Sequence, residues 1–286
     1  MRNPHQPGAK INEKRRRKWI DRFSSYGAGI DNVAITSWLE QFAEADRDVA
    51  ARILDVVEYF GQSHIYGAYR EALASLSDWN AMPSQRKGKW AFCAMSGSAG
   101  ESGDAMLHHF RVANRLGAAK YNPLFLTRSE LFRRPNLPER DRDRLGADDV
   151  VVLLDDFSAT GKQVCEAWND PVTSFGALLA GVGTVYLILV AASLKAMKRI
   201  KEETSIELVH AHQLNETDNV FAEECAHFTT TDRARLLHYG KIADAKRPKG
   251  FGDSGFVVVF QHRAPNNSIP ILHADHDEWI GLFPRQ

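Results

Sequence analysis

The sequence has no excess of charge of either sign. Of its 286 residues, 36 are lysine or arginine and 36 are aspartate or glutamate, so the formal net charge at pH 7 is zero. A protein that holds nucleic acid over its whole surface through phosphate contacts would carry a basic excess, and this balance excludes that class. The apolar fraction of 44% and the charged fraction of 25% exclude a disordered chain.

Cysteine and long apolar runs are also scarce. The three cysteines, Cys93, Cys165 and Cys225, are too few and too scattered for a disulfide framework or a zinc cluster. The most apolar stretch, 182–193, suits a buried strand and is too short to span a bilayer. No apolar run follows the charges at the start of the sequence, so no secretory signal is predicted. We expect a soluble, cytoplasmic protein without a membrane partner.

The order of apolar patterns predicts three segments. Residues 1–85 form an N-terminal helical region, residues 86–215 an α/β core, and residues 216–286 a C-terminal extension that completes the sheet or an acceptor pocket. Apolar spacings predict helices over 35–42 and 49–60, with Asp46 as the N-cap of the second. Short apolar runs predict strands over 90–95, 123–127, 150–154, 184–191, 206–210 and 255–261.

Strands that alternate with helices in this way predict the fold class. Within the core, helical patterns over 104–116 and 194–203 separate the apolar runs. A strand, helix, strand order implies parallel pairing, because each helix carries the chain back to the start of the next strand. We therefore expect an α/β fold with an open, mainly parallel sheet and helices on both faces.

Positive charge is concentrated in two segments of the neutral chain. The first is the run of five basic residues at 14–18, which is either a solvated helical turn or a docking site for nucleic acid or a partner. The second is the polar, arginine-rich segment 128–149. A connection of this length inside a compact domain predicts either a functional flap or a surface loop with many ion pairs.

The most informative motif is VVVLLDDFSATGKQ, residues 150–163. A buried strand leads to Asp155 and Asp156 at its carboxyl end, where open parallel sheets bind ligands. The following residues form a tight loop that opens a helix, and unpaired N–H groups at a helix start favour a phosphate. Two acids would repel a phosphate, so they must bind something else. Sugar hydroxyls or a hydrated divalent cation are suitable ligands.

This motif resembles the phosphoribosyl-pyrophosphate signature of type I phosphoribosyltransferases, in which two acids and a few small residues precede Thr-Gly. The resemblance implies that Asp155 and Asp156 hold the ribose hydroxyls and, through the ligand, Mg²⁺, as the catalytic acids. It also implies that the 5′-phosphate is wrapped by Phe157, Ser158, Ala159, Thr160, Gly161 and Lys162. The family often has Ser or Thr two residues beyond the glycine, where this sequence has Gln163.

An earlier small-residue loop also matches the family's order. The sequence SGSAGESG, residues 96–103, contains Ser96, Gly97 and Ser98, which the resemblance assigns to the pyrophosphate. A tight turn is the structural alternative. A hydrolase with Ser98 as nucleophile lacks the required first glycine, and a P-loop is excluded because Asp156 stands where its first glycine belongs. The resemblance also makes segment 128–149 the mobile flap.

The ends of the sequence resemble the phosphoribosyltransferase-like effectors of bacterial conflict and anti-phage systems, including retron-type systems. The resemblance rests on WLEQFAEADRDVAARILDVVEYF near the start and on GFVVVFQHRAPNNSIPIL near the close. It implies an effector enzyme that acts on phosphoribosyl pyrophosphate or a nucleotide, with a nucleic-acid or nucleotide acceptor and protein partners from a defence operon. A non-catalytic sensor or regulatory subunit is the alternative, and a homo-oligomer stays open. Asn266 and Asn267 belong either to an acceptor pocket or to a capped turn.

Overall fold

The computed structural model describes residues 11–95 and 103–285, which divide into two units. The first unit contains residues 11–63 and 215–285, and the second contains the described residues of 64–214. These units do not coincide with the three predicted segments. The N-terminal helices and the C-terminal extension share one unit because β1 (Glu58–Phe60) pairs in parallel with β6 (Val258–Phe260).

The helices are short, and among the described residues none is long and apolar enough to cross a membrane. In chain order they are α1 (Glu13–Phe23), α2 (Asn32–Glu40), α3 (Arg47–Val56), α4 (Gln62–Ser75), α5 (Gly103–Ala113), α6 (Arg128–Arg133), α7 (Lys162–Asn169), α8 (Phe175–Leu178), α9 (Leu194–Glu203) and α10 (Thr230–Ala243). The other strands are β2 (Trp90–Ala94), β3 (Val150–Ser158), β4 (Thr184–Ser193), β5 (Glu207–Leu214), β7 (Asp275–His276) and β8 (Trp279–Ile280).

A parallel sheet in the order β2-β3-β4-β5 forms the centre of the second unit. Phe125 forms a single parallel bridge with Phe92. The sequence predicts a strand over 123–127, but only this bridge forms there. The 3-10 helix Ala119–Leu124 occupies the start of the predicted strand. The chain therefore moves from β2 to its outer neighbour and then back across to β3. Ligands of open parallel sheets bind where the strand order reverses in this way, outside the carboxyl ends of β2 and β3.

Helices cover both faces of this sheet, which confirms the predicted fold class. On one face, Leu131 of α6, Val164 of α7 and Ile200 of α9 belong to one hydrophobic cluster with Leu153 of β3. On the other face, the Phe110 ring of α5 packs against Tyr69 of α4 and Phe92 of β2. A sheet buried on both faces explains why every residue of β3 is buried.

The first unit has a separate core of helices and irregular segments. Trp19, Trp38 and Trp279 are each almost fully buried in it. The predicted helix over 49–60 is wrong at its end, because α3 stops at Val56 and residues 58–60 pair with β6 instead. Asp46 precedes α3 as predicted, yet its side chain accepts from the Tyr239 hydroxyl at 2.8 Å rather than capping the helix.

The arginine-rich segment 128–149 packs against the core of the second unit. Leu131 and Leu145 are buried in its hydrophobic cluster, and the Gly183 amide donates to the Gly146 carbonyl at 3.1 Å. Gly183 directly precedes β4, so the end of the segment lies at the amino edge of the sheet, opposite Asp155. A role for it as a flap over the site stays a prediction.

Asp149 fastens this segment to the amino edge of the sheet. Its carboxylate accepts from the Lys89 amide at 2.7 Å and the Gly146 amide at 2.8 Å, and it lies 3.6 Å from the Lys89 ammonium. The residue is only 6% exposed. Removal of this buried carboxylate would take the acceptor from two part-buried backbone donors.

We predict that Asp149→Ala lowers the free energy of unfolding by about 2 kcal/mol, because two part-buried amides lose their acceptor. Asp148→Ala is the control: this neighbouring side chain is exposed, and its removal is expected to cost less than about 0.5 kcal/mol. Urea unfolding of the two variants measures the difference. Equal losses would show that Asp149 does not anchor the segment.

Candidate active site

The central strand continues through the two acids of the motif. The sequence predicts a strand over 150–154, whereas β3 extends to Ser158, because β4 also continues and pairs with it up to Ser158–Ala192. Asp155 and Asp156 therefore belong to the strand and are held by the same ladder as the apolar residues before them. They are 7% and 6% exposed, at the edge where the strand order reverses.

The carboxylates of the two acids turn back onto the backbone. Asp155 Oδ1 accepts from the Asp156 amide at 3.0 Å, and Asp156 Oδ1 accepts from the Phe157 amide at 2.7 Å. Each of these hydrogen bonds holds one side-chain oxygen in a fixed position. The pair thus presents hard oxygen atoms at fixed positions, the kind of group that binds sugar hydroxyls or a magnesium-bound ligand.

Tyr69 of α4 supports the carboxyl edge of β3 from the face of the sheet that α4 and α5 cover. Its hydroxyl donates to the Asp155 carbonyl at 3.0 Å, and the side chain is completely buried. Burial, and then the nearby Asp156 and Asp155, raise the pKa of Tyr69 well above its ordinary value. The phenol therefore stays protonated and keeps donating. The sequence places Tyr69 only within the predicted helical region 1–85, and its contact with β3 comes from the packing.

The predicted phosphate loop forms between β3 and α7. Gly161 has a φ of 68° and precedes the first residue of α7. A β-carbon at Gly161 would lie 3.0 Å from the Ala196 carbonyl oxygen and 3.2 Å from Arg199 Cβ, so both its backbone conformation and its neighbours favour glycine. The loop therefore approaches α9 closely. The Lys162 amide is 3.3 Å from the Thr160 hydroxyl, which accepts from it.

Ser193 holds the back of this loop. Its hydroxyl donates to the Ala159 carbonyl at 2.5 Å and accepts from the Ala196 amide at 3.0 Å, which caps the start of α9. At 2% exposure, the side chain is buried. The end of an apolar run before a helix is a signal for an N-cap, but the sequence gives no sign of the bond to Ala159.

The remaining predicted groups divide into three sets. Ser158 and Ala159 are buried and Thr160 is half-buried in the loop, whereas Lys162 is exposed and lies 3.6 Å from Glu166. Ser96, Gly97 and Ser98 lie outside the described residues. Of the arginines in segment 128–149, Arg128 packs on Phe175 with its guanidinium 4.6 Å from the ring centroid.

Other polar groups add no metal centre to the described structure. Among residues 11–95 and 103–285, no three histidine, cysteine or acidic side chains lie together in a way that could hold a metal. His210 and His212 on β5 pair across the sheet with Leu189 and Ala191. Burial, and then His212, lower the pKa of His210. Asn267 donates to the Phe251 carbonyl at 3.0 Å, the contact expected of a capped turn.

Comparison with known proteins finds a family model that matches most of the sequence. The family model PRTase-CE matches residues 35–285. The structure of the AQ2163 protein from Aquifex aeolicus is similar over 64% of this chain and 82% of that chain, with 14% identity and a TM-score of 0.31. A likeness this weak carries no argument about the site. No curated protein matches the sequence.

We predict that Ser193→Ala loosens the loop at 159–161. The substitution removes a helix cap and leaves a buried carbonyl without its donor, which is expected to cost about 1–2 kcal/mol. Ser174→Ala is a matched control, because Ser174 caps α8 and donates to the Trp168 carbonyl at 2.5 Å in the same pattern, at the far end of α7. Amide hydrogen exchange at residues 159–161 should accelerate only in Ser193→Ala. Equal acceleration in both variants would contradict this role.

Proposed function

The chain belongs to the PRTase-CE family, a phosphoribosyltransferase-type family, and from this premise we propose that it binds phosphoribosyl pyrophosphate with Mg²⁺ at the carboxyl edge of β3. One observation carries the proposal: two buried, backbone-bonded acids directly precede a glycine loop at the start of a helix, where the strand order reverses. Each half of this arrangement suits a different part of the same ligand.

The sugar and its 5′-phosphate would bind to neighbouring parts of this edge. Asp155 and Asp156 accept hydrogen bonds from the ribose hydroxyls, which a carboxylate with fixed oxygens does well. Residues 157–162 surround the 5′-phosphate, because the first amides of α7 have no partners within the helix and attract an anion. Lys162 adds charge at the rim, and the loop of Ser96, Gly97 and Ser98 takes the pyrophosphate.

The reaction proposed here is a substitution at the anomeric carbon of the sugar. A nitrogen nucleophile forms a bond to this carbon and loses its proton, while the bond to the pyrophosphate oxygen breaks and the electron pair leaves with pyrophosphate. Mg²⁺, held through the ligand, would neutralise charge on that leaving group. The chain's own contribution is to hold both ends of the sugar in line and to bind the departing anion.

The biological role proposed for this chemistry is that of an effector in bacterial anti-phage defence. This step rests on the resemblance of the ends of the sequence to effectors of conflict systems. In that role the acceptor is a nucleotide or a nucleic acid, and the activity is restrained by protein partners from the same operon.

A non-catalytic sensor is the second candidate, and the position of segment 128–149 favours it. Type I phosphoribosyltransferases are expected to close a flap over the reaction, whereas here Leu145 is buried and Gly146 is bonded at the amino edge of the sheet. A protein that only reports the concentration of the ligand needs the acids and the phosphate loop, but it needs no such closure.

We predict that Asp155→Asn/Asp156→Asn weakens binding of phosphoribosyl pyrophosphate by roughly a hundredfold. Asparagine can still accept from the Asp156 and Phe157 amides, so the fold is kept while two charge-assisted bonds are lost, at about 1.5 kcal/mol each. Calorimetry with Mg²⁺ present measures binding. Asp170→Asn, at the far end of α7, is the control with unchanged affinity.

The same samples distinguish enzyme from sensor. Wild-type protein is incubated with phosphoribosyl pyrophosphate, Mg²⁺ and a panel of bases, nucleotides and tRNA, and pyrophosphate release is recorded. Release that disappears in the double variant supports the enzyme. Tight binding without release from any acceptor supports the sensor, and no binding at all contradicts both candidates.

We predict that expression of the wild-type chain, without its partners, slows growth of a bacterial host, and that Asp155→Asn/Asp156→Asn restores growth at an equal protein level. The reason is that the proposed effector acts through the bound phosphoribosyl ligand. Growth curves with quantified expression provide the measurement. Toxicity that survives the double substitution would count against an effector working through this site.

A further inference from the structure

Five cations that have no carboxylate partner among the described residues lie at the amino edge of the sheet in the second unit. Five cationic side chains, which we call the basic patch, lie there: Arg86, Lys87, Arg111, Arg115 and Lys120. They come from the segment before β2, the end of α5 and the 3-10 helix before Phe125. Because helices that connect parallel strands run antiparallel to them, all three elements meet at this edge, opposite Asp155 and Asp156.

The surrounding sequence contains no acid. Residues 79–95 and 105–127 include Lys89 and the five cations of the patch, but no aspartate or glutamate. The Lys89 ammonium forms an ion pair with the Asp149 carboxylate. Within the described parts of the chain, no carboxylate lies within 4.0 Å of any of the five patch cations. Lys87, Arg115 and Lys120 are exposed, and the other two are half-buried.

The basic segments that stand out in the sequence differ from the patch because acids are interspersed among their cations or adjacent to them. In α1, Arg15 lies 2.6 Å from Asp55 and Arg17 lies 2.7 Å from Glu13. In segment 128–149, Arg144 lies 3.6 Å from Glu139. A group of cations without interspersed acids therefore lies in a place that the clustering of basic residues in the sequence does not indicate.

Arg86 shows that the patch is electrostatically unsatisfied. Its Nη1 atom is buried and, among the described residues, has no hydrogen-bond partner. Burial lowers the pKa of its guanidinium, which packs on the Trp79 ring at 5.2 Å from the centroid. A partly desolvated cation without a counter-charge raises the free energy of the fold, and an approaching anion would offset that cost.

Aromatic rings position three of the five cations. Besides Arg86 on Trp79, the Arg111 guanidinium lies 5.0 Å from the centroid of Phe125, and the Lys120 ammonium lies 4.8 Å from that of Tyr121. Clustered cations without interspersed acids are typical of surfaces that contact the phosphate backbone of nucleic acid. An acidic polypeptide would be attracted by the same charge. The experiment below therefore distinguishes a nucleic acid from an acidic polypeptide.

We propose that this basic patch binds nucleic acid through its phosphates. The contact is independent of the proposed phosphoribosyl site, since the two lie at opposite edges of one sheet. It brings a polyanion to the protein without using Asp155, Asp156 or the proposed phosphate loop at the carboxyl edge. The net charge of zero excludes binding of nucleic acid over the whole surface. The patch would nevertheless give the chain a local, salt-dependent affinity for nucleic acid.

The test is fluorescence anisotropy of the full chain with a labelled single-stranded RNA of about 20 nucleotides, at salt concentrations between about 50 and 200 mM. Lys87→Gln/Arg115→Gln/Lys120→Gln removes the three exposed charges. We expect the Kd to rise at least roughly tenfold, and the slope of log K against log salt to fall by about 2. Lys14→Gln/Arg17→Gln/Lys18→Gln removes as many charges from α1 and should leave both quantities unchanged.

Three results would overturn the proposal. The first is an absence of salt-dependent RNA binding by the wild-type chain, and the second is an equal loss in the α1 control. The third is displacement of the RNA by poly-glutamate at equal charge concentration, which would assign the patch to an acidic polypeptide. Asp155→Asn/Asp156→Asn should keep RNA binding, so a failure of the phosphoribosyl site and a failure of this patch are distinguishable.

Discussion

The backbone ladder between β3 and β4 runs from Val150–Thr184 to Ser158–Ala192, and the candidate site depends on it. It continues beyond the apolar run and fixes Asp155 and Asp156 within a fully buried strand. The same ladder brings the end of β4 beside the loop that follows β3, where Ser193 can reach the Ala159 carbonyl. A shift in the register between β3 and β4 would move Asp155, Asp156, the following loop and the start of α9 together.

The conformation of the loop between β3 and α7 depends on its close approach to α9 rather than on side-chain hydrogen bonds. Gly161 combines a positive φ with contact to the backbone of α9, so a larger residue would be strained in its conformation and crowded by its neighbours. Tyr69 supports the adjoining strand through a single bond to a backbone carbonyl. The site is thus preorganised by residues that would not themselves touch a ligand, which is how rigid elements keep a binding geometry.

Charge is divided between the two edges of the central sheet. Paired acids lie at the carboxyl edge beside a helix start that favours phosphate, and cations without carboxylate partners among the described residues lie at the amino edge. The proposed phosphoribosyl ligand and the proposed nucleic acid would therefore bind without competing for the same groups. At the amino edge, Asp149 pairs with Lys89 and holds the end of the arginine-rich segment.

The sequence by itself determined the fold class, the order of strands and helices in the core, and the place of the acids at the end of a central strand. These follow from local periodicity and from the rule that ligands bind at carboxyl ends of parallel strands. Helix α9 agrees with its predicted bounds, since Ser193 gives a local start signal.

The tertiary structure alone decided the extension of β3 to Ser158, the conversion of 58–60 from helix to strand, and the packing of segment 128–149. It also decided which basic residues are neutralised. Each of these depends on partners distant in the sequence: β4 for β3, β6 for β1, Asp55 for Arg15 and Asp149 for Lys89. Periodicity and composition report on neighbours along the chain, whereas hydrogen-bond and ion-pair partners are chosen by the fold.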